Sequence, residues 1–176
     1  MMNTTKKLVT SGLLLALCLI LPFLTGQIPQ IGSMLCPMHI PVLLCGFICG
    51  WKYGLAVGFI APLLRYGLFG MPPMPVCLAM AFELAAYGAV SGLMYTLLPR
   101  RSGYIYVSLL AAMVSGRLVW GLAQLVITGI AGTQFSFGMF LSGAVLTALP
   151  GIAVQIILIP IIVIALKRAK MISVND

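Results

Sequence analysis

The chain has 176 residues, of which 62% are hydrophobic and 7% are charged, and its formal net charge is +8 at pH 7. Soluble domains carry about 25% charged residues, so this composition and a mean hydropathy of +1.18 exclude a soluble domain and indicate a chain surrounded by lipid. The basic residues form small clusters between apolar runs, which is typical of membrane orientation signals and does not indicate nucleic-acid binding.

Apolar runs of roughly 20 residues are long enough to cross the ~30 Å hydrocarbon layer of a bilayer. The first run is followed by no small-residue cleavage pattern, so we expect it to be retained as a helix. Short connections rich in glycine, proline and threonine separate the runs. The sequence therefore predicts one all-α integral membrane domain over residues 1–176, with six transmembrane helices near 8–24, 34–51, 53–69, 76–98, 104–130 and 139–166.

The basic clusters orient these six predicted helices. Under a six-span count every cluster falls on one side of the membrane, and the connections on the other side carry no charge. Basic residues flanking transmembrane helices favour the cytoplasmic side, so both termini are predicted to be cytoplasmic. The clusters are Lys6 with Lys7, Lys52, Arg100 with Arg101, and Lys167 with Arg168 and Lys170.

Four ionisable side chains fall inside the predicted spans, where charges are costly and usually face a cavity or each other. At about 1.5 Å per residue, His39, Arg65, Glu83 and Arg117 all lie roughly 18–20 Å above the inner membrane surface. Pro37 and Pro41 flank His39, and irregular backbone at this depth is tolerated only beside protein or a watery cavity. The sequence predicts a polar site formed by four helices in one layer.

Neighbours on the same helix faces extend this predicted site. Tyr87 follows Glu83 by one helical turn, and Trp120 and Gln124 follow Arg117. Structural interpretations stay open beside the binding one: Glu83 could pair with either arginine as a bridge, His39 could cap or pack, and Tyr87 and Trp120 could fill the core instead of stacking on a ligand ring.

Several chemistries find no support in the sequence. No GxxxxGK[ST] motif is present, so ATP hydrolysis by the usual phosphate-binding loop is not expected. One histidine and no cluster of cysteine, histidine and aspartate predict neither a metal site nor a haem or other cofactor. No set of side chains resembles a catalytic centre, so we expect a binding subunit and not an enzyme.

The chain resembles the substrate-binding S components of energy-coupling factor (ECF) vitamin transporters. The likeness is carried by "TGQIPQIGSMLCPMHIPVLLCGFICGWKYG", "GFIAPLLRYGLFGMPPMP" and "AMAFELAAYG", and it spans nearly the whole sequence. It implies a multi-pass protein of the cell membrane that captures a vitamin outside. It also implies a partnership with a transmembrane coupling protein and two ATPase subunits, with the external connections 25–33, 68–75 and 131–138 acting as lids.

In this family a pair of small residues on the first helix docks on the coupling protein. The matching positions here are Gly12 and Ala16, with Ser11 adjacent, although glycine replaces the first alanine of the family pattern. Small residues four apart let a partner helix approach closely, so packing inside the bundle is the competing interpretation.

The predicted pocket holds two arginines, one glutamate and a titratable histidine, which favours a carboxylate-bearing vitamin, with niacin and pantothenate as the leading candidates. The alternative function is a self-sufficient carrier of a small anion in which Glu83 or His39 takes up the driving proton. A membrane scaffold that binds no small molecule is a third possibility.

Overall fold

The computed structural model describes residues 3–24, 34–99, 102–130, 136, 138, 141–143 and 147–169. Within this part, the fold is all-helical and has six helices of eleven residues or more. They are α1 Thr4–Leu24, α2 His39–Cys49, α3 Trp51–Phe69, α4 Met74–Leu97, α5 Ser102–Ile130 and α6 Leu149–Arg168. The predicted six-helix architecture is confirmed.

Four of the described helices are long and apolar enough to cross a membrane: Thr4–Phe23, Met74–Leu97, Gly103–Ile130 and Leu149–Arg168. The helix α3 has 19 residues but carries Lys52 and Arg65, and α2 is an apolar helix of only 11 residues. The structure therefore shows a multi-pass membrane protein, and a count of six spans stays a prediction.

The second and sixth predicted helices are each interrupted near their start. We expected a continuous helix from residue 34. Met34 and Leu35 are helical, but Cys36 has a φ of 47° and Pro37 and Met38 form a turn, so the uninterrupted helix α2 begins at His39. We expected the last helix from residue 139, part of which lies outside the described residues. Residues 141–143 are helical, and Thr147 donates its backbone N–H to the Ser142 carbonyl (2.9 Å) in a turn wider than that of an α-helix. The uninterrupted helix α6 begins at Leu149.

Glycines bring α2, α3 and α4 together at the centre of the bundle. A Cβ atom on Gly54 or Gly58 would overlap the backbone of α4 at Gly88 or Leu84, and one on Gly46 would overlap Ser91. These glycines form a close helix contact, because only glycine leaves room for the backbones to approach this closely.

Basic residues gather at one end of this bundle. Lys167 lies 5.7 Å from the ring centroid of Tyr95, which is near the end of α4. Lys7 lies close enough to Cys49 for an electrostatic interaction, and Lys52 follows Cys49 at the turn between α2 and α3. The opposite end of α2 holds His39, so the candidate site lies away from the basic end.

Candidate functional site

A buried carboxylate on α4 holds two cationic or polar partners from other helices. The Glu83 Oε1 atom lies 2.8 Å from Nη1 of Arg117 on α5 and 3.3 Å from Nε2 of His39 at the start of α2. The side chains of His39 and Glu83 are 3% and 2% exposed, and that of Arg117 is 15% exposed. Three of the four ionisable residues predicted to meet do meet, and they form one cluster at a single carboxylate oxygen.

Tyr87 forms the wall of this cluster one helical turn from Glu83. Its ring meets the His39 ring edge to face, with centroids 4.9 Å apart and planes at 88°. It interacts electrostatically with both Glu83 and Arg117. A Cβ atom on Gly116 of α5 would overlap the Tyr87 ring, so the ring is held against the α5 backbone. Tyr87 is therefore a packed neighbour of the charged groups, as the sequence predicted.

The Arg117 guanidinium has one edge that the described residues leave almost unused. Its Nη1 atom is paired with Glu83, and its Nη2 atom donates to the Cys36 sulfur at 3.6 Å. The Nε atom is buried and has no hydrogen-bond partner among the described residues. A thiol is a weak acceptor, so the Nε and Nη2 donors together form a fork suited to a second carboxylate.

His39 is likewise satisfied on one side only. Its Nε2 atom faces Glu83, whereas its Nδ1 atom is buried and has no hydrogen-bond partner in the described part of the chain. Buried polar atoms in proteins are nearly always hydrogen-bonded, so an orphaned atom calls for an explanation such as a ligand. The unpaired atoms of His39 and Arg117 belong to two groups that contact the same Glu83 oxygen.

Arg65 is placed apart from this cluster. Its Nη1 atom donates to the Leu19 carbonyl (2.8 Å), and its guanidinium lies 5.2 Å and 5.5 Å from the ring centroids of Phe23 and Phe69. Pro22 interrupts the same turn of α1 and removes a backbone donor there. Counting residues gave the position of Arg65 along α3, but its side chain faces α1 and joins the C-terminal ends of these two helices.

The remaining predicted residues lie further along α5 and on α1. Trp120 is half-buried, and a Cβ atom on Gly143 would meet its ring at 2.8 Å. Gln124 is half-buried one turn further on. On α1, Ser11 is 5% exposed and donates to the Leu8 carbonyl, whereas Gly12 and Ala16 are exposed and a Cβ atom on Gly12 would meet nothing within 4 Å.

Sequence reasoning missed two residues of interest. Cys36 contacts Arg117, and its position beside the two prolines of "CPMHIP" is the signal that could have identified it. Gln155 on α6 is 1% exposed, and its Oε1 atom has no hydrogen-bond partner among the described residues. The signal that could have identified it is its spacing of four residues from Gly151, which puts both on one helix face, and a Cβ atom on Gly151 would meet the Met34 carbonyl at 2.6 Å.

A comparison with protein families identifies the chain. The family described as "ECF transporter, substrate-specific component" matches residues 6–163. The chain belongs to this family. It is thus the substrate-specific, or S, component of an ECF transporter, in agreement with the resemblance found in the sequence. No curated protein and no solved structure matches the chain.

Membership places the cluster in a functional context. An S component binds a small substrate and works with an ECF module of coupling protein and ATPases. The described residues of this S component place an unusual concentration of buried polar groups at the junction of α2, α4 and α5.

Proposed function

We propose that this S component binds a small carboxylate-bearing vitamin, such as niacin or pantothenate, at the cluster of Arg117, Glu83 and His39. The observation that carries the proposal is the Nε and Nη2 edge of Arg117, which has a buried unpaired donor and only a thiol contact. A planar guanidinium edge binds a carboxylate through two parallel hydrogen bonds.

Glu83 has a positioning role in this proposal. By holding Nη1 of Arg117 at 2.8 Å, it fixes the guanidinium plane and leaves the other edge for the ligand. The Tyr87 ring, held between His39 and α5, offers an apolar surface beside the fork, and Trp120 and Gln124 extend the same helix face. In this proposal Arg65 links α1 to α3 and does not contact the ligand.

The pocket is proposed to open on the outer side of the membrane. The basic end of the bundle would face the cytoplasm by the positive-inside rule, with both termini there and six spans. Glu83 and Arg117 lie about 20 Å from that end of α4 and α5 at about 1.5 Å per residue, which is above the middle of a ~30 Å hydrocarbon layer. The connections 25–33 and 131–138, proposed as lids, lie mostly outside the described residues.

The exposed face of α1 is the proposed docking surface for the coupling protein. Gly12 and Ala16 are surrounded on this face by exposed apolar side chains, namely Val9, Leu13, Leu17 and Ile20. Two small residues four apart permit close approach of a partner helix. The Ser11 side chain turns inward, so the proposed surface depends on Gly12 and Ala16.

Uptake of labelled vitamin tests this function against the self-sufficient carrier. Cells that express the S component together with a coupling protein and two ATPases should accumulate the vitamin, whereas cells that express the S component alone should not. Accumulation by the single protein that collapses with the proton gradient would favour the carrier instead. Absence of vitamin binding by the purified protein would favour a scaffold.

A further inference from the structure

The charge of the cluster does not balance when an anionic ligand is bound. Arg117 and Glu83 neutralise each other at 2.8 Å, so a ligand carboxylate on the free edge of Arg117 would leave one negative charge uncompensated. The chain has only two acidic residues, Glu83 and Asp176. Arg65 of α3 does not supply the missing positive charge, because its guanidinium is bonded to the Leu19 carbonyl of α1. An uncompensated buried charge is strongly unfavourable.

His39 is the group that could restore neutrality. Its ring already contacts Glu83 through Nε2, and its Nδ1 atom is buried without a partner among the described residues. A proton added at Nδ1 would supply both the missing positive charge and a new hydrogen-bond donor. Arg117 already carries its proton and cannot take another. Protonating Glu83 would remove the negative charge that faces both Arg117 and His39, so the histidine is the favoured site for the added proton.

The surroundings of His39 offer no competing source of this charge within the described residues. From α4 it contacts Glu83 and the Tyr87 ring, and its backbone N–H donates to the Cys36 carbonyl. Arg117 of α5 joins this group through Glu83 and Cys36. From α1 the Cys18 thiol donates to the Met38 carbonyl at 3.7 Å. The remaining charged residues of the packed helices lie elsewhere: Arg65 of α3 is bonded to α1, and the others belong to the basic end, namely Lys6 and Lys7 of α1, Lys52 of α3, and Lys167 and Arg168 of α6.

We propose that this S component takes up one proton on His39 Nδ1 each time it binds its carboxylate ligand. This inference rests on the proposed function and adds a regulation to that same site. One ligand anion and one proton from solvent enter the site together, so the net charge of the site does not change. The neutral imidazole of His39 becomes an imidazolium between Glu83 and the ligand. Binding therefore weakens as pH rises, because the protonated ring must then be formed at a lower proton concentration.

Isothermal titration calorimetry measures this uptake directly. The purified protein in detergent is titrated with pantothenate, and separately with niacin, at about pH 7.5 in two buffers of small and large ionisation enthalpy. Carboxyl groups have pKa values of about 4, so both ligand carboxylates are ionised at this pH. Pantothenate carries no other group that titrates near pH 7.5, so its titration reports proton uptake by the protein, and niacin, whose ring nitrogen is basic, serves as the comparison. The buffer dependence of the heat should correspond to uptake of close to one proton per ligand, and affinity should fall by up to about tenfold per pH unit.

The matched variant is His39→Gln, whose amide can still donate to Glu83 but cannot take a proton. It should bind more weakly, with heats that no longer depend on the buffer, whereas Tyr87→Phe should retain the buffer dependence. Wild-type binding with no proton uptake would overturn the inference and leave the proposed function standing, as would full uptake by His39→Gln. Failure of both vitamins to bind would instead overturn the proposed ligand class and the inference with it.

Discussion

The ion pair between Arg117 and Glu83 should contribute to ligand binding and add little to the free energy of unfolding. Replacing Arg117 with leucine leaves Glu83, which is 2% exposed, without its partner at 2.8 Å. Removing one member of a buried pair costs about 3–5 kcal/mol, and Glu83→Leu should cost a similar amount. The double variant should recover most of this loss, because replacing a whole buried pair with apolar side chains is often neutral or stabilising.

Thermal unfolding in detergent measures these differences. For a chain of this size, about 3–5 kcal/mol corresponds to a fall in Tm of about 6–20 °C for each single variant. All five cysteines are buried thiols, so a thiol-reactive dye reports unfolding without an added label. Leu118→Ala is the matched control, since Leu118 follows Arg117 but is 57% exposed on the outside of α5.

The double variant decides whether this reasoning holds. It should unfold near the wild-type temperature and bind no ligand. A double variant as unstable as the sum of the two single variants would show that each residue stabilises the fold through other contacts, and the electrostatic account of the cluster would then be wrong.

Three further perturbations test separate parts of the structure. Gly116→Ala should displace the Tyr87 ring from His39, lower the free energy of unfolding by about 1–3 kcal/mol through overpacking, and weaken ligand binding measured by calorimetry. The control is Gly129→Ala, where the added methyl group meets open space; equal effects of the two variants would contradict the contact between Gly116 and Tyr87. Arg65→Gln should lower the free energy of unfolding by about 1–3 kcal/mol, because it weakens the hydrogen bond to the Leu19 carbonyl, and it should change ligand affinity little. A large loss of affinity would place Arg65 in the binding site. Gly12→Trp should preserve ligand binding and abolish uptake that depends on the ECF module. The control Gly67→Trp, where the added side chain also meets open space, should preserve both binding and uptake. Loss of ligand binding in Gly12→Trp would refute the docking proposal.

The sequence predicted the height of the site but not the direction of each side chain. Counting residues along each helix predicts that His39, Glu83 and Arg117 lie at similar positions in the bundle, and the three side chains do meet. Counting gave Arg65 the same depth, yet its side chain points to the turn of α1 that Pro22 interrupts. Which neighbour a helix face meets is set by packing between helices, and a single sequence does not contain that information.

Helix boundaries were predicted well where the flanking residues were polar and poorly where prolines lay inside an apolar run. The helix α5 was expected over 104–130 and begins at Ser102. The apolar segment from residue 34 predicts a continuous helix, but the left-handed Cys36 and Pro37 interrupt it, and α2 begins at His39. This interruption places His39 at a helix start, where its ring reaches Glu83.

The central claim is that the ligand binds at the Arg117–Glu83–His39 cluster. The most direct measurement is the ligand-induced shift in thermal unfolding of the wild type and of the double variant Arg117→Leu, Glu83→Leu. The account predicts that pantothenate or niacin at 100 times its Kd stabilises the wild type by about 2.7 kcal/mol and leaves the folded double variant unchanged. An equal shift in both proteins would place the ligand elsewhere and contradict the account.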